Sequence, residues 1–173
     1  RFTRRALIAA LAAVLPLTSA FAQDIKERSF KLATQNPKGH PIVIGAEKFA
    51  ELAAAKSGNK LQVKAFPGGT LGGDAANVSA LQGGTIEIVV LNSGILASQV
   101  KDFEVYDFPF MFANPKEADA VVDGPFGQKL HAKLADKGIV GLGYFELGFR
   151  NITNSKRPIN TVEDIAGLKL RVI

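Results

Sequence analysis

The chain has 173 residues, 47% of them hydrophobic and 21% charged, with 21 lysines and arginines against 16 acids, two histidines and no cysteine. Without cysteine there is neither a disulfide framework nor a thiolate metal site, so stability rests on an ordinary apolar core, which a chain of this length can build. The formal charge of +5 is not gathered into the basic, aromatic-interleaved face that nucleic-acid binding needs, which excludes that class of partner.

The N-terminus has the three parts of a secretory leader. Arg1, Arg4 and Arg5 are its charged region, residues 6–15 its apolar region, and Ala20-Phe21-Ala22 a small-residue cleavage site before Gln23. Residues 1–22 are therefore expected to be a signal peptide and the product to be periplasmic. The apolar stretch is too short to span a bilayer comfortably, and no later one is long enough. Loss of this leader removes three arginines and no acid, which lowers the formal charge from +5 to +2. The chain does not begin with Met, and it is expected to be clipped at its start.

After the leader, Phe30, Leu32 and Thr34 alternate with Lys31, Ala33 and Gln35, which predicts a first strand ending at Gln35-Asn36-Pro37. Ile42, Ala46, Phe49, Ala50 and Ala53 recur at helical spacing and Gly58-Asn59 closes that helix. Residues 60–66 alternate polar and apolar without a fault up to Pro67-Gly68-Gly69, the pattern of a strand with one wet face. Asp74 can cap or charge the first turn of a short helix carrying Ala75, Val78 and Leu81, closed by Gly83-Gly84. Residues 86–91 are apolar except for Glu87, as expected of an inner strand covered on both faces.

Strand, helix, strand, helix, strand at these lengths predicts an α/β fold with a doubly wound, mainly parallel sheet. Ligands of such sheets bind beyond the carboxyl ends of the strands. Those ends carry Gln35 and Asn36, then Pro67-Gly68, then Asn92-Ser93, a neutral hydrogen-bonding rim. Asn92 serves equally as a helix cap, and turn formation accounts equally for Asn36-Pro37.

Farther on, the aromatic run Phe108-Pro109-Phe110-Met111-Phe112 is expected to pack in the core beneath two helices. Pro115 starts the first, which runs through Val122; the second covers residues 124–137, with Phe126, Leu130 and Leu134 inward and Lys129, Lys133 and Asp136 outward. Residues 139–145 predict another apolar strand. Pro158 and a Thr161 cap mark fresh structure beyond Gly148, which divides the chain into a first α/β lobe at 23–148 and the start of a second at 149–173.

His40 and His131 are far apart, lack metal-ligand spacing and are read as surface residues flanking helices, so no metal site is expected. There is no nucleophile elbow, phosphate loop, zinc motif or well-placed carboxylate pair, and Gly141-Leu142-Gly143 lacks the third glycine of a dinucleotide fingerprint. No cofactor and no catalysis are expected.

The most informative stretch is the last. Arg150 opens Phe149-Arg150-Asn151-Ile152-Thr153-Asn154-Ser155, and Arg171 sits in Gly167-Leu168-Lys169-Leu170-Arg171-Val172-Ile173, with Pro158 and Thr161-Val162-Glu163-Asp164 between them. A guanidinium is a planar fork that meets a carboxylate through two parallel hydrogen bonds and keeps its charge at any relevant pH. If residues 169–173 are extended, Arg171 points away from the apolar side of Leu170 and Val172. By spacing alone the commoner outcome is solvation, or pairing with Glu146, Glu163 or Asp164.

The order of these motifs resembles the substrate-binding subunits of tripartite ATP-independent periplasmic (TRAP) transporters, in which an early second-lobe arginine is followed by a Gly-Leu-Lys-X-Arg-Val run. The resemblance covers the chain after its leader and is most specific at its end. It implies a two-lobed periplasmic binding fold with the second lobe incomplete after Ile173. It also implies a receptor that closes on an organic acid and delivers it to the small and large TRAP membrane subunits, with no ATPase. Arg171 would be the principal carboxylate anchor and Arg150 the second, while Asn92, Gln35 and Asn36 fall where family members place polar cleft residues. A receptor for an ATP-driven importer and a periplasmic enzyme on a similar scaffold are the alternatives; neighbouring genes would separate the first and turnover of the bound acid the second.

Overall fold

The computed structural model describes residues 25–171; the expected leader and the last two residues of the expected final strand lie outside the described residues. Three strands form a parallel sheet: β1 (Arg28–Thr34), β2 (Leu61–Phe66) and β3 (Ile88–Val90), in the order β2-β1-β3. Helix α1 (Pro41–Lys56) connects β1 to β2, and α2 (Asp74–Gln82) connects β2 to β3. The α/β class and the parallel sheet are as the alternation of elements predicts.

Local chemistry sets the boundaries. His40 caps α1, its Nδ1 accepting from the Ile42 N–H at 3.2 Å, and Pro41 takes the first helical position where no intrahelical donor is needed. The helix turns Ile42, Val43 and Ala46 inward, all 5% exposed or less. At its far end the Ser57 hydroxyl donates to the Ala54 carbonyl and accepts from the Leu61 N–H at 2.9 Å, so one side chain stitches the end of α1 to the start of β2. In β2, Gln62 and Lys64 are exposed while Leu61, Val63 and Ala65 are half-buried, the single wet face its alternation predicts.

β1 has neighbours on both edges, with Leu32 opposite Ala65 on one side and Ile88 on the other. Its last three residues, Leu32, Ala33 and Thr34, are accordingly each 1% exposed. β3 differs from expectation. It is the short edge strand of the described sheet and only half-buried, because the strand order gives β1, not β3, the two-sided position.

Beyond β3 two 3-10 helices (Ser93–Ser98 and Lys101–Asp107) lead to α3 (Pro115–Val122) and α4 (Pro125–Leu134), followed by a 3-10 turn at Ala135–Lys137. The Asn114 side chain caps α3 by accepting from the Glu117 N–H at 3.0 Å, and the Glu117 carboxylate accepts from the Ala113 N–H in return. Val78, Phe103, Leu130, Leu134 and Ile139 form one buried cluster. Tyr106 extends it with edge-to-face contacts to Phe103, Phe126 and Tyr144.

The aromatic run does not pack as expected. Phe103 is completely buried, but Phe108, Phe110 and Met111 are exposed. Phe110 takes a φ of +61°, a backbone turn that side chains other than glycine seldom adopt, and this carries its ring outward.

Residues 139–145 also depart from expectation, forming no strand. They have no ladder partner among the described residues and are held by side chains instead: Ile139 is in the core, and Tyr144 stacks on His131 with ring centres 4.5 Å apart and donates to or accepts from the Tyr106 hydroxyl at 3.2 Å. His131 is thus half-buried inside α4, not a flanking surface residue. Lys169 to Arg171 likewise form no strand, and Leu170 is 44% exposed, so the expected apolar side of that segment is not buried among the described residues. Near the same end the 3-10 turn Glu163–Ile165 follows Val162 and has no side-chain cap, so Thr161 does not cap it; the Asp164 carboxylate instead accepts from the Asn160 and Thr161 N–H groups upstream.

Phe103→Ala is expected to cost about 3–5 kcal/mol, the usual range for emptying a buried aromatic site, whereas Phe110→Ala stays within roughly 0.5 kcal/mol. Urea midpoints of the two variants check the pair, and equal losses would show the core to be wrongly centred.

Candidate functional site

The strand order dictates where a site can form. The chain passes from β1 to β2 on one side and then crosses to β3 on the other, so the path reverses between β1 and β3. In open parallel sheets the crevice opens at that reversal, beyond the carboxyl ends. Gln35 and Asn36 follow β1 and Asn92 follows β3, so the sheet brings these three sequence-predicted residues to one edge.

The loops there are tightly bonded. The Gly68 N–H donates to the Asn36 carbonyl at 2.8 Å and the Gly69 N–H to the Thr34 carbonyl at 3.0 Å, which joins the ends of β1 and β2. The Asn36 side-chain amide donates to the Thr34 hydroxyl at 3.2 Å, and the Gln35 amide donates to the Gly72 carbonyl. Gly69 sits at a φ of +69°, and a Cβ there would lie 2.6 Å from the Gln35 side-chain oxygen. Only glycine lets the two loops meet this closely. The Asn92 oxygen accepts from the Gly94 N–H at 2.9 Å and so caps the following 3-10 helix, the role its sequence reading left open.

Two polar groups that sequence reasoning did not assign to the site lie just behind it. Asn77, completely buried, donates to the same Gly72 carbonyl at 3.2 Å. Its Oδ1 and the Oδ1 of Asp74 are buried without a partner. Burial pushes the Asp74 carboxyl above its ordinary range, because desolvation penalises the charged form. The signal in the sequence was an asparagine beside Val78 on the inward side of a short helix, which spacing alone reads as surface.

The two candidate anchors are elsewhere in the chain. Arg150 and Arg171 are both exposed, and neither has a hydrogen-bond or ion-pair partner among the described residues. No bond among those residues ties either guanidinium to Gln35, Asn36 or Asn92. The acids weighed as structural partners do not take them; Asp164 is occupied by backbone N–H groups of Asn160 and Thr161. The organised guanidinium of this region is Arg157, which donates to the carbonyls of Asp164 and Ala166.

Among the described residues no group of three or more His, Asp or Glu could hold a metal ion, and no helix is long and apolar enough to cross a membrane. A shallow depression lined by Gln128, His131, Ile139 and Gly141 carries no charged anchor, and burial holds His131 below its ordinary range.

The profile of the bacterial extracellular solute-binding protein family 7, DctP, matches residues 32–173. The chain belongs to that family. A TRAP periplasmic solute-binding protein of Ochrobactrum anthropi, with its C-terminus bound in the ligand-binding pocket, superposes with a TM-score of 0.80 at 55% identity over 85% of this chain and 46% of its own. The sugar acid binding protein of Advenella mimigardefordensis, solved with galactonate, gives 0.83 at 42% identity over 86% and 48%. The 2,3-diketo-L-gulonate-binding periplasmic protein of Escherichia coli (strain K12) is 38% identical over 74% of this chain and 39% of its own. The chain therefore spans two fifths to one half of the length of these DctP-family relatives.

The Asp74 proton is held more tightly in the folded DctP-family chain than in the unfolded one. That contribution is complete below pH 3.8 and is lost as pH rises through the elevated folded value. Asp74→Asn, which has no proton to lose, is expected to gain stability relative to the parent chain as pH climbs from about 3 to about 7. Urea midpoints at both ends check this, and a pH-independent difference would mean that the carboxyl titrates normally.

Proposed function

We propose that this chain is the N-terminal part of a periplasmic receptor that binds an organic acid and delivers it, unchanged, to the small and large membrane subunits of a TRAP-type carrier driven by an ion gradient. The observation that carries the reading is the match to the DctP family over residues 32–173, which spans both the sheet edge and the arginine-bearing end. The first lobe, residues 23–148, supplies a neutral rim from Gln35, Asn36 and Asn92. The segment from 149 onward starts the second lobe and supplies Arg171 as principal anchor and Arg150 as second. The signal peptide at residues 1–22 directs export.

The division of labour follows from the chemistry. Amides orient hydroxyl and carbonyl groups but do not offset a net negative charge, whereas a guanidinium does so through two directed hydrogen bonds. Closure between lobes removes water from that pair and strengthens it. Arg150 and Arg171 are exposed and have no partner among the described residues, which leaves both guanidiniums available to a ligand. Two of the relatives are named for six-carbon sugar acids, 2,3-diketo-L-gulonate and galactonate, and acids of that class are the first to test.

A thermal-shift screen of organic acids on the full-length protein tests the proposal, since a ligand at about 100 times its Kd adds roughly 2.7 kcal/mol to folding. Arg171→Ala is expected to abolish the shift at unchanged unliganded Tm, a loss of about 2–5 kcal/mol in binding, and Arg171→Lys to restore it in part. Undiminished affinity in the alanine variant would remove Arg171 from its role, and turnover of the acid would replace the receptor by an enzyme.

A further inference from the structure

The segment joining the two candidate anchors holds its own shape. At its start the Asn154 side-chain oxygen accepts from the N–H groups of Lys156 and Arg157, at 2.8 and 3.1 Å, while its amide donates to the Arg157 carbonyl at 3.1 Å. Arg157 then reaches forward. Its Nε and Nη2 donate to the Asp164 carbonyl at 3.2 and 3.0 Å, and Nη2 donates again to the Ala166 carbonyl at 2.6 Å. The Asp164 carboxylate reaches back to the Asn160 and Thr161 N–H groups at 2.9 and 3.0 Å. The Ala166 and Leu168 N–H groups close the turn on the Glu163 and Ile165 carbonyls, and Gly167 leaves it at a φ of +77°. Backbone N–H donation also holds the Asp164 carboxyl below its ordinary range.

These bonds form a ring from Asn154 to Ala166, and the candidate anchors flank it. Arg150 lies four residues before Asn154 and Arg171 five after Ala166. The residues of the ring are largely exposed, with Ile159 and Ile165 half-buried, so apolar packing is limited there. One planar fork bridges two carbonyls that lie two residues apart, and a lysine ammonium, a point donor on a flexible stem, cannot reproduce that geometry. Binding costs less when the contact groups are already ordered.

We propose that Arg157 is a positioning residue for anion binding: it touches no ligand, but locks residues 154–168 so that Arg150 and Arg171 are presented at a fixed spacing. This rests on the reading of Arg150 and Arg171 as the anchors. The guanidinium spends its directed donors on main-chain oxygens, which identifies it as a strut between two segments and distinguishes it from the unpartnered arginines on either side.

The test uses the full-length protein, with galactonate, 2,3-diketo-L-gulonate, glucuronate and succinate as probes, the one giving the largest wild-type thermal shift being titrated by calorimetry. Arg157→Ala is expected to weaken binding roughly tenfold, chiefly through a less favourable entropy, and Arg157→Lys not to rescue it. Amide exchange across 154–168 should quicken in Arg157→Ala and stay unchanged in Arg171→Ala. In an Arg171→Lys background the effect of Arg157→Ala should shrink, because a strut acts through the group it positions. If Arg171→Lys weakens binding but Arg157→Ala costs the same in both backgrounds, or nothing in either, the positioning role is overturned while the anchors stand. If Arg171→Lys leaves affinity untouched, or no probe shifts the wild-type protein, the anchor reading falls and the strut with it.

Discussion

Burial of β1 between two parallel neighbours is the constraint on which the rest of the molecule depends. Its last three residues are shut away from water, and its carboxyl end is therefore a fixed point. From it Thr34 and Asn36 reach across to Gly68 and Gly69, and Gln35 to Gly72. A parallel ladder cannot close by a tight turn, so each neighbour requires a helix-bearing crossover, and the two crossovers place their loops at the same edge. The concentration of neutral hydrogen-bonding groups at that edge follows from topology, before any ligand is considered.

Behind the edge the fold tolerates an expense. Buried acceptor oxygens on Asp74 and Asn77 lack partners, and leaving such groups unpaired costs stability. Asn77 lies beside Gly72, whose carbonyl collects both the Gln35 and Asn77 amides. Through Gly72 the Asn77 amide of α2 is thus linked to the loop after β1.

The arginine-bearing end works on a different principle. Residues 154–168 are largely exposed, and hydrogen bonds within the segment tie it together, with the Arg157 fork as their centre. In the proposed reading, the sheet edge supplies rigidity through burial and the second segment supplies it through a bonded ring. That reading assigns the ligand's charge partners to the second of these, where both arginines are exposed.

What the sequence determined by itself is much of what is local. The alternation at residues 60–66, the helical spacing from Ile42 to Ala53, the proline at the start of α3, and the neutral residues after each strand were all legible, because turns and periodicity act over a few residues. The order of motifs around Arg150 and Arg171 was enough to suggest the family. Tertiary structure alone decided the rest. Residues 139–145 have the composition of a strand, but a strand exists only when another chain segment takes its hydrogen bonds, and here Tyr144 and Ile139 are held by side chains instead. β3 became an edge because strand order is set by crossovers, and Phe110 was turned outward by its backbone. Asn77 became buried, and Arg157 a strut, through contacts several residues away or across the fold, and such partners are defined only once the chain has brought them together.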